Sequence, residues 1–232
     1  MGVGDIIGSD RAMVTKIDTI DSSFFTSEIG EVREEVLARK IEGINSFVKY
    51  IPLRLDTLLE QEISTLPANL NLLVLCEDSF QPIHYAVINK LCLKNKLTWI
   101  SYRSTGSGFE IGPTVVPRET ACFKCYEARK LSNSTAYEEY IYNQGYLSSH
   151  HSTLGSLNIT FGYDLLLLEI IRILTNFTRT VTYSSVVSFD LISLEVKTHP
   201  VLKLPRCPEC SPLSQHRTTA NVWQFEEALE HL

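Results

Sequence analysis

Apolar and polar positions fall into blocks that switch between extended and helical periods. Residues 2–10 read as a short strand ending on an acidic residue, Asp10, and residues 14–17 add a second extended piece. Between 27 and 44, Val32, Val36, Leu37, Ile41 and Ile44 recur at helical spacing opposite Glu and Arg, with Ser27 placed as the N-cap. A strand follows at 48–53. Residues 70–76 are almost continuously apolar, which predicts a strand covered on both faces, and Glu77 and Asp78 follow it directly. The pattern then predicts a helix over 81–94 and a strand over 97–102. Gly106 and Gly108 mark a turn, from which 109–116 returns as a strand.

In the second half a helix covers 123–131, and 133–145 is a polar, tyrosine-rich crossover. The run 154–177 has the length of a membrane span but carries Asp164, Glu169 and Arg172, charges that are costly in lipid, so a buried helix over 156–176 is expected. Residues 183–189 and 191–198 predict a hairpin turning near Asp190. The tail beyond 211 is polar except for an amphipathic stretch at 222–229. Strand, helix and strand in alternation predict an α/β fold with a mostly parallel sheet flanked by helices. Ligands of such sheets sit beyond the carboxyl ends of the strands, which puts Asp10, Asp78 and the 103–108 loop at one rim.

Bulk properties narrow the classes. The chain has 232 residues, 44% of them hydrophobic and 21% charged, as expected for a globular domain, and a net charge of −6 offers no basic surface to nucleic acid. The start lacks the basic and apolar regions of a signal peptide, so the expectation is a cytoplasmic protein with no membrane partner, and the sequons at Asn133, Asn158 and Asn176 are chance matches. Cys76 and Cys92 lie in apolar segments and read as core residues. His84 reads as a core histidine and His150-His151 as a surface pair. His199 fits either a donor to a metal thiolate or a structural place in its strand.

The sharpest feature is a pair of cysteine knuckles, Cys122-Phe-Lys-Cys125 and Cys207-Pro-Glu-Cys210. Two intervening residues let both sulfurs of a knuckle face one ion, and two knuckles make a four-thiolate set suited to structural zinc. Four buried free thiols or two redox pairs are the alternatives. The knuckles stand roughly eighty residues apart, so a shared ion would clamp the end of the chain onto its middle.

Around the knuckles, Gly112-Pro-Thr-Val-Val-Pro-Arg-Glu-Thr-Ala-Cys-Phe-Lys-Cys-Tyr-Glu-Ala-Arg129 and His199-Pro-Val-Leu-Lys-Leu-Pro-Arg-Cys-Pro-Glu-Cys210 resemble the ThiF-like component of thiazole/oxazole-modified microcin (bacteriocin) cyclodehydratases, relatives of the ubiquitin-activating-enzyme/ThiF superfamily. The likeness spans residues 1–211 and leaves 212–232 as a C-terminal tail. It implies a ThiF-like α/β fold with a zinc site at Cys122, Cys125, Cys207 and Cys210. It also implies a YcaO-type cyclodehydratase partner, which uses ATP to convert Cys, Ser or Thr of a precursor peptide into azolines while the ThiF-like component helps to present the peptide. A homodimer is compatible with it.

By the same resemblance Asp10 matches the ribose-binding acidic residue of adenylating relatives, and Asp78 their catalytic aspartate. Their arginine has no counterpart near Asp21, and Arg33 stands near their lysine. The family's first strand, its glycine-rich phosphate loop and its leader-gripping winged-helix segment are not found, and Gly2-Val-Gly4 opens a strand rather than the helix a phosphate cradle needs. The winged helix is then either a separate protein or lost from a truncated or mis-started reading frame. The leading expectation is an accessory scaffold with no catalytic residues of its own, ATP being bound by the partner. The rivals are an adenylyltransferase activating a carboxylate on a peptide or sulfur-carrier protein, and an inactive remnant.

Overall fold

In a computed structural model, the structure describes residues 4–19, 24–53, 67, 69–77, 80–105, 107–133 and 155–211. Asp78, His150, His151, the 133–145 crossover beyond Asn133 and the tail from 212 lie outside the described residues.

The N-terminal part is a parallel pair of strands, β1 (Asp5–Gly8) and β2 (Lys49–Pro52), in register from Asp5 opposite Lys49 to Gly8 opposite Pro52. Helix α1 (Arg33–Ile44) connects them and packs on β2, and its buried Val36 meets Val14, Phe24 and Leu37 in a small core. The helix begins five residues later than an N-cap at Ser27 would place it. Ser27 lies in a 3-10 turn (Thr26–Glu28), and Val32 occupies the N-cap without a side-chain cap. Gly30 at φ +91° sits between the two, a left-handed conformation that an α-helix cannot continue through.

The larger part is a five-stranded sheet in the order β3 (Leu73–Glu77), β4 (Trp99–Thr105), β5 (Gly108–Ile111), β6 (Ser185–Asp190), β7 (Glu195–Pro200). Helix α2 (Pro82–Asn95) carries the chain from β3 to β4, so that pair is parallel; its Pro82 opens the helix and Lys96, in the left-handed region, ends it. The short turns after β4 and β6 permit only antiparallel return, and β4–β5, β5–β6 and β6–β7 are all antiparallel. The fold is α/β, with parallel pairs in its first half and antiparallel ladders in its second. No ladder joins β1–β2 to the five-stranded sheet among the described residues.

Helices α3 (Phe123–Ser132) and α4 (Gly155–Thr175) complete the fold. Successive residues of β4 face opposite layers. Trp99 joins Tyr85, Val115, Phe123 and the knuckle cysteines, while Ile100 and Tyr102 join Phe109, Ile111 and Leu166 under α4. Three expectations need correction. Strand β3 is not covered on both faces, since Val74 is 38% exposed and Cys76 is exposed rather than core, because β3 is an edge strand of this sheet. Helix α4 is only half-buried: Leu166 faces the sheet and Leu167, Ile171 and Leu174 face away. Strand β5 stops at Ile111, because the chain then leaves the ladder to make single bridges at Thr114 with Tyr183 and at Val115 with Trp99.

Candidate metal centre

The four knuckle cysteines converge. Cys122 is the N-cap of α3 and Cys125 sits in its first turn, so the helix fixes their relative position. The second knuckle follows β7, where turns bonded Cys207 N to Leu204 O (3.2 Å) and Ser211 N to Cys207 O (3.2 Å) present Cys207 and Cys210. The sulfur separations are 3.8 Å for Cys122–Cys125, 3.6 Å for Cys122–Cys207 and 3.6 Å for Cys125–Cys210, and all four sulfurs lie within 4.8 Å of one another. A tetrahedral ion with metal–sulfur bonds of about 2.3 Å sets its sulfurs about 3.8 Å apart, so the donor set fits a metal ion. Cys122, Cys125 and Cys207 are fully buried and Cys210 is partly exposed.

Hydrogen bonds from Cys122 and Cys210, helped by the Leu204 N–H at 3.4 Å, hold the Cys125 thiol well below its usual value, while the bonds of Cys122 to Cys125 and Cys210, with burial, push Cys122 up. Cys92 is a plain buried thiol, pushed up to about 12 by burial alone.

Two features around the site were not singled out in the sequence. Asn89, fully buried on α2, accepts a hydrogen bond from the Phe123 N–H (3.0 Å) and donates through Nδ2 to Glu209 Oε2 in the second knuckle. The signal for it was a polar residue within the apolar stretch of α2, which must find partners when buried. The second feature is a buried charged cluster. Arg103 on β4 donates through Nε to Glu110 Oε2 (2.8 Å) and through Nη2 to Tyr126 Oη (3.0 Å), and its guanidinium stacks over Phe80 at 4.7 Å. Tyr126 donates to Glu110 (3.1 Å), and Lys130 donates to Tyr126 (3.3 Å). Burial pushes the Glu110 carboxyl up, but Arg103, Lys130 and the hydrogen bonds more than offset this and hold it below its ordinary value. Burial and Arg103 together depress Lys130.

Asp10 belongs to another group. Its Oδ1 accepts the Ala12 N–H (3.1 Å) and its Oδ2 lies 3.4 Å from Arg33 Nη1, while Arg33 Nη2 holds Asp18 at 2.6 Å. Burial raises Asp18, and its bonds from Thr15 and Arg33 outweigh that to lower it. Arg103, expected in a loop at the same rim as Asp10, instead turns into the sheet's own cluster. His84 is not a core residue: it is partly exposed and pairs through Nδ1 with Glu77. His199 lies exposed on β7 with Nε2 3.0 Å from Ser188 Oγ, the structural role in the strand rather than one at the thiolates.

The fold is similar to that of E. coli MccB solved with ATP, at a TM-score of 0.76 and 17% identity over 90% of this chain and 60% of that one. It is also similar to the microcin C7 biosynthetic enzyme MccB in complex with N-formylated MccA (TM-score 0.74, 19% identity, 90% of this chain and 61% of that one). PaaA gives a TM-score of 0.68 at 12% identity, over 87% of this chain and 66% of that one. At these identities the likeness is one of fold, and the chain spans about 60% of the length of the MccB structures it matches. No curated protein matches it. The model of the ThiF family matches residues 1–211, which takes in both strand units and both knuckles, and the chain belongs to the ThiF family.

Proposed function

We propose that this chain is a zinc-stabilised scaffold of a peptide-modifying complex, which helps to present a precursor peptide to a YcaO-type, ATP-dependent cyclodehydratase. The observation that carries the reading is the use already made of the ribose-position carboxylate. Asp10 is engaged by Arg33 and by the Ala12 N–H, so the carboxylate at the ribose position is already paired. The ThiF-family membership and the described four-thiolate centre support a folded, metal-clamped platform. A platform raises rate by holding partners together, through effective concentration rather than through reacting groups of its own. Zinc is the metal proposed, because four thiolates in this spacing suit its tetrahedral preference. Residues 212–232 are proposed as a tail outside the domain.

The second reading, an adenylyltransferase acting on a peptide or sulfur-carrier carboxylate, is favoured by the fold's likeness to MccB solved with ATP and with MccA. An affinity pull-down of the tagged chain from its host, with ATP–pyrophosphate exchange on the purified protein, separates the two. Co-recovery of a YcaO-type protein and a Cys/Ser/Thr-rich peptide with no exchange is the scaffold outcome. Exchange activity that disappears in Asp78→Ala, with no YcaO-type protein recovered, overturns it.

A further inference from the structure

Each thiolate pair belongs to a different segment, and 85 positions separate Cys122 from Cys207. Among the described residues, the Asn89 side chain hydrogen-bonds both knuckles. Asn89 lies on α2, 34 positions from Phe123 and 120 from Glu209, and its single amide bonds the backbone of the first knuckle and the side chain of the second. Its two bonds use different atoms: Oδ1 receives the Phe123 N–H beside Cys122, and Nδ2 donates to Glu209 beside Cys210. The site therefore has a link between its halves that contains no sulfur and no metal.

We propose that Asn89 is a positioning residue for the metal centre: by tying both knuckles to α2 it pre-assembles the four thiolates and sets how tightly they hold their ion. The inference rests on the metal reading of the cysteine cluster. Physically, an ion that must gather two loose knuckles loses binding free energy to their ordering, and a fixed amide bridge removes part of that loss before the ion arrives. The bridge also fixes the rotation of the first knuckle, because the Phe123 N–H is among the donors at the start of α3 left without a helical acceptor. Lys124, paired with Glu127 at 2.6 Å, flanks the same junction, and the charges of Lys90 on α2 and of Lys124 both favour the ionised Glu209 carboxylate.

The test is cobalt(II) titration of the full chain, followed by the thiolate-to-cobalt absorption, on wild type, Asn89→Asp, Glu209→Ala and the double variant Asn89→Asp/Glu209→Gln. Asn89→Asp keeps the acceptor for Phe123 but sets a carboxylate against Glu209. Its cobalt Kd is expected to rise about 10- to 100-fold, the usual size for a residue that supports metal ligands. Glu209→Ala removes the same bond from its partly exposed end, and a rise in the same direction is expected. In the double variant the amide introduced at position 209 donates to the carboxylate introduced at position 89, reversing the polarity of the bond, and most of the affinity returns. A merely structural Asn89 would lower the urea midpoints of metal-free and metal-loaded protein together and leave the cobalt Kd in place. That result, or a double variant as weak as Asn89→Asp, overturns the inference. Wild type that binds neither cobalt nor zinc overturns the metal reading itself, and the inference with it.

Discussion

Arg103 and Glu110 stand opposite each other in register across the β4–β5 hairpin and close an ion pair beneath Tyr126, one turn along the helix that starts at the first knuckle. The pair joins the sheet to α3, the helix that carries the first knuckle. Its members are 11% and 19% exposed at the side chain, so each relies on the other for the charge it keeps out of water.

Removing one member should therefore cost far more than a surface ion pair. Arg103→Met leaves Glu110 ionised beside Lys130 and Tyr126 alone, and a loss of about 3 kcal/mol is expected from urea unfolding. Arg103→Met/Glu110→Leu, which removes both charges, should recover much of it. Equal losses in the single and double variants would mean that packing over Phe80, rather than charge, carries the contribution.

The acid limb of stability follows from the same carboxylate. Glu110 has a native pKa held below its ordinary 4.5, so its contribution is complete above that value, where the unfolded chain is also ionised. It is lost as pH falls through the lower native pKa. Glu110→Gln should unfold with a shallower dependence on pH below 4.5 than wild type, read from urea midpoints across that range. Parallel slopes for the two proteins would show that the fold does not hold the Glu110 carboxyl below its ordinary value.

Metal removal should be a folding event as much as a binding one. The purified chain is expected to hold zinc in equimolar amount by elemental analysis, and Cys207→Ser to lose it. The stability lost with it is expected to exceed about 4 kcal/mol, because the ion closes the long loop between the knuckles. A Cys207→Ser protein with unchanged thermal midpoint would leave the knuckles as buried thiols.

Gly162 brings the α4 backbone close to the sheet. A Cβ there would fall 2.7 Å from Tyr102 Oη and 3.1 Å from the Phe109 ring, two side chains that stack on each other with centroids 5.7 Å apart and have little room to withdraw. Gly162→Val is expected to destabilise by about 1–3 kcal/mol through overpacking, measured by thermal unfolding. A neutral result would place α4 further from the sheet than this contact requires.

The sequence by itself determined the local elements and the four cysteines that come together. Periodicity placed Val36 and Leu37 of α1 in the core, though Ile44 of the same expected face is exposed, and it placed α2, β4 and the 185–200 hairpin, because each is written in nearest-neighbour spacing. Two Cys-x-x-Cys knuckles named Cys122, Cys125, Cys207 and Cys210, because a knuckle is a short-range object whose chemistry is explicit in its residues. What only the tertiary structure decided is whatever depends on partners distant in the chain. The apolar run of β3 read as doubly covered, yet its place at the sheet edge exposes Val74 and Cys76. Arg103 read as part of a loop at the ligand rim and is instead neutralised by Glu110 within the sheet. Asn89 read as one polar residue in a helix, and its role as the link between two knuckles depends on Phe123 and Glu209, 34 and 120 positions away. Burial and pairing are properties of the packed chain, and hydrogen-bond partners at such separations leave no periodic trace in the sequence that encodes them.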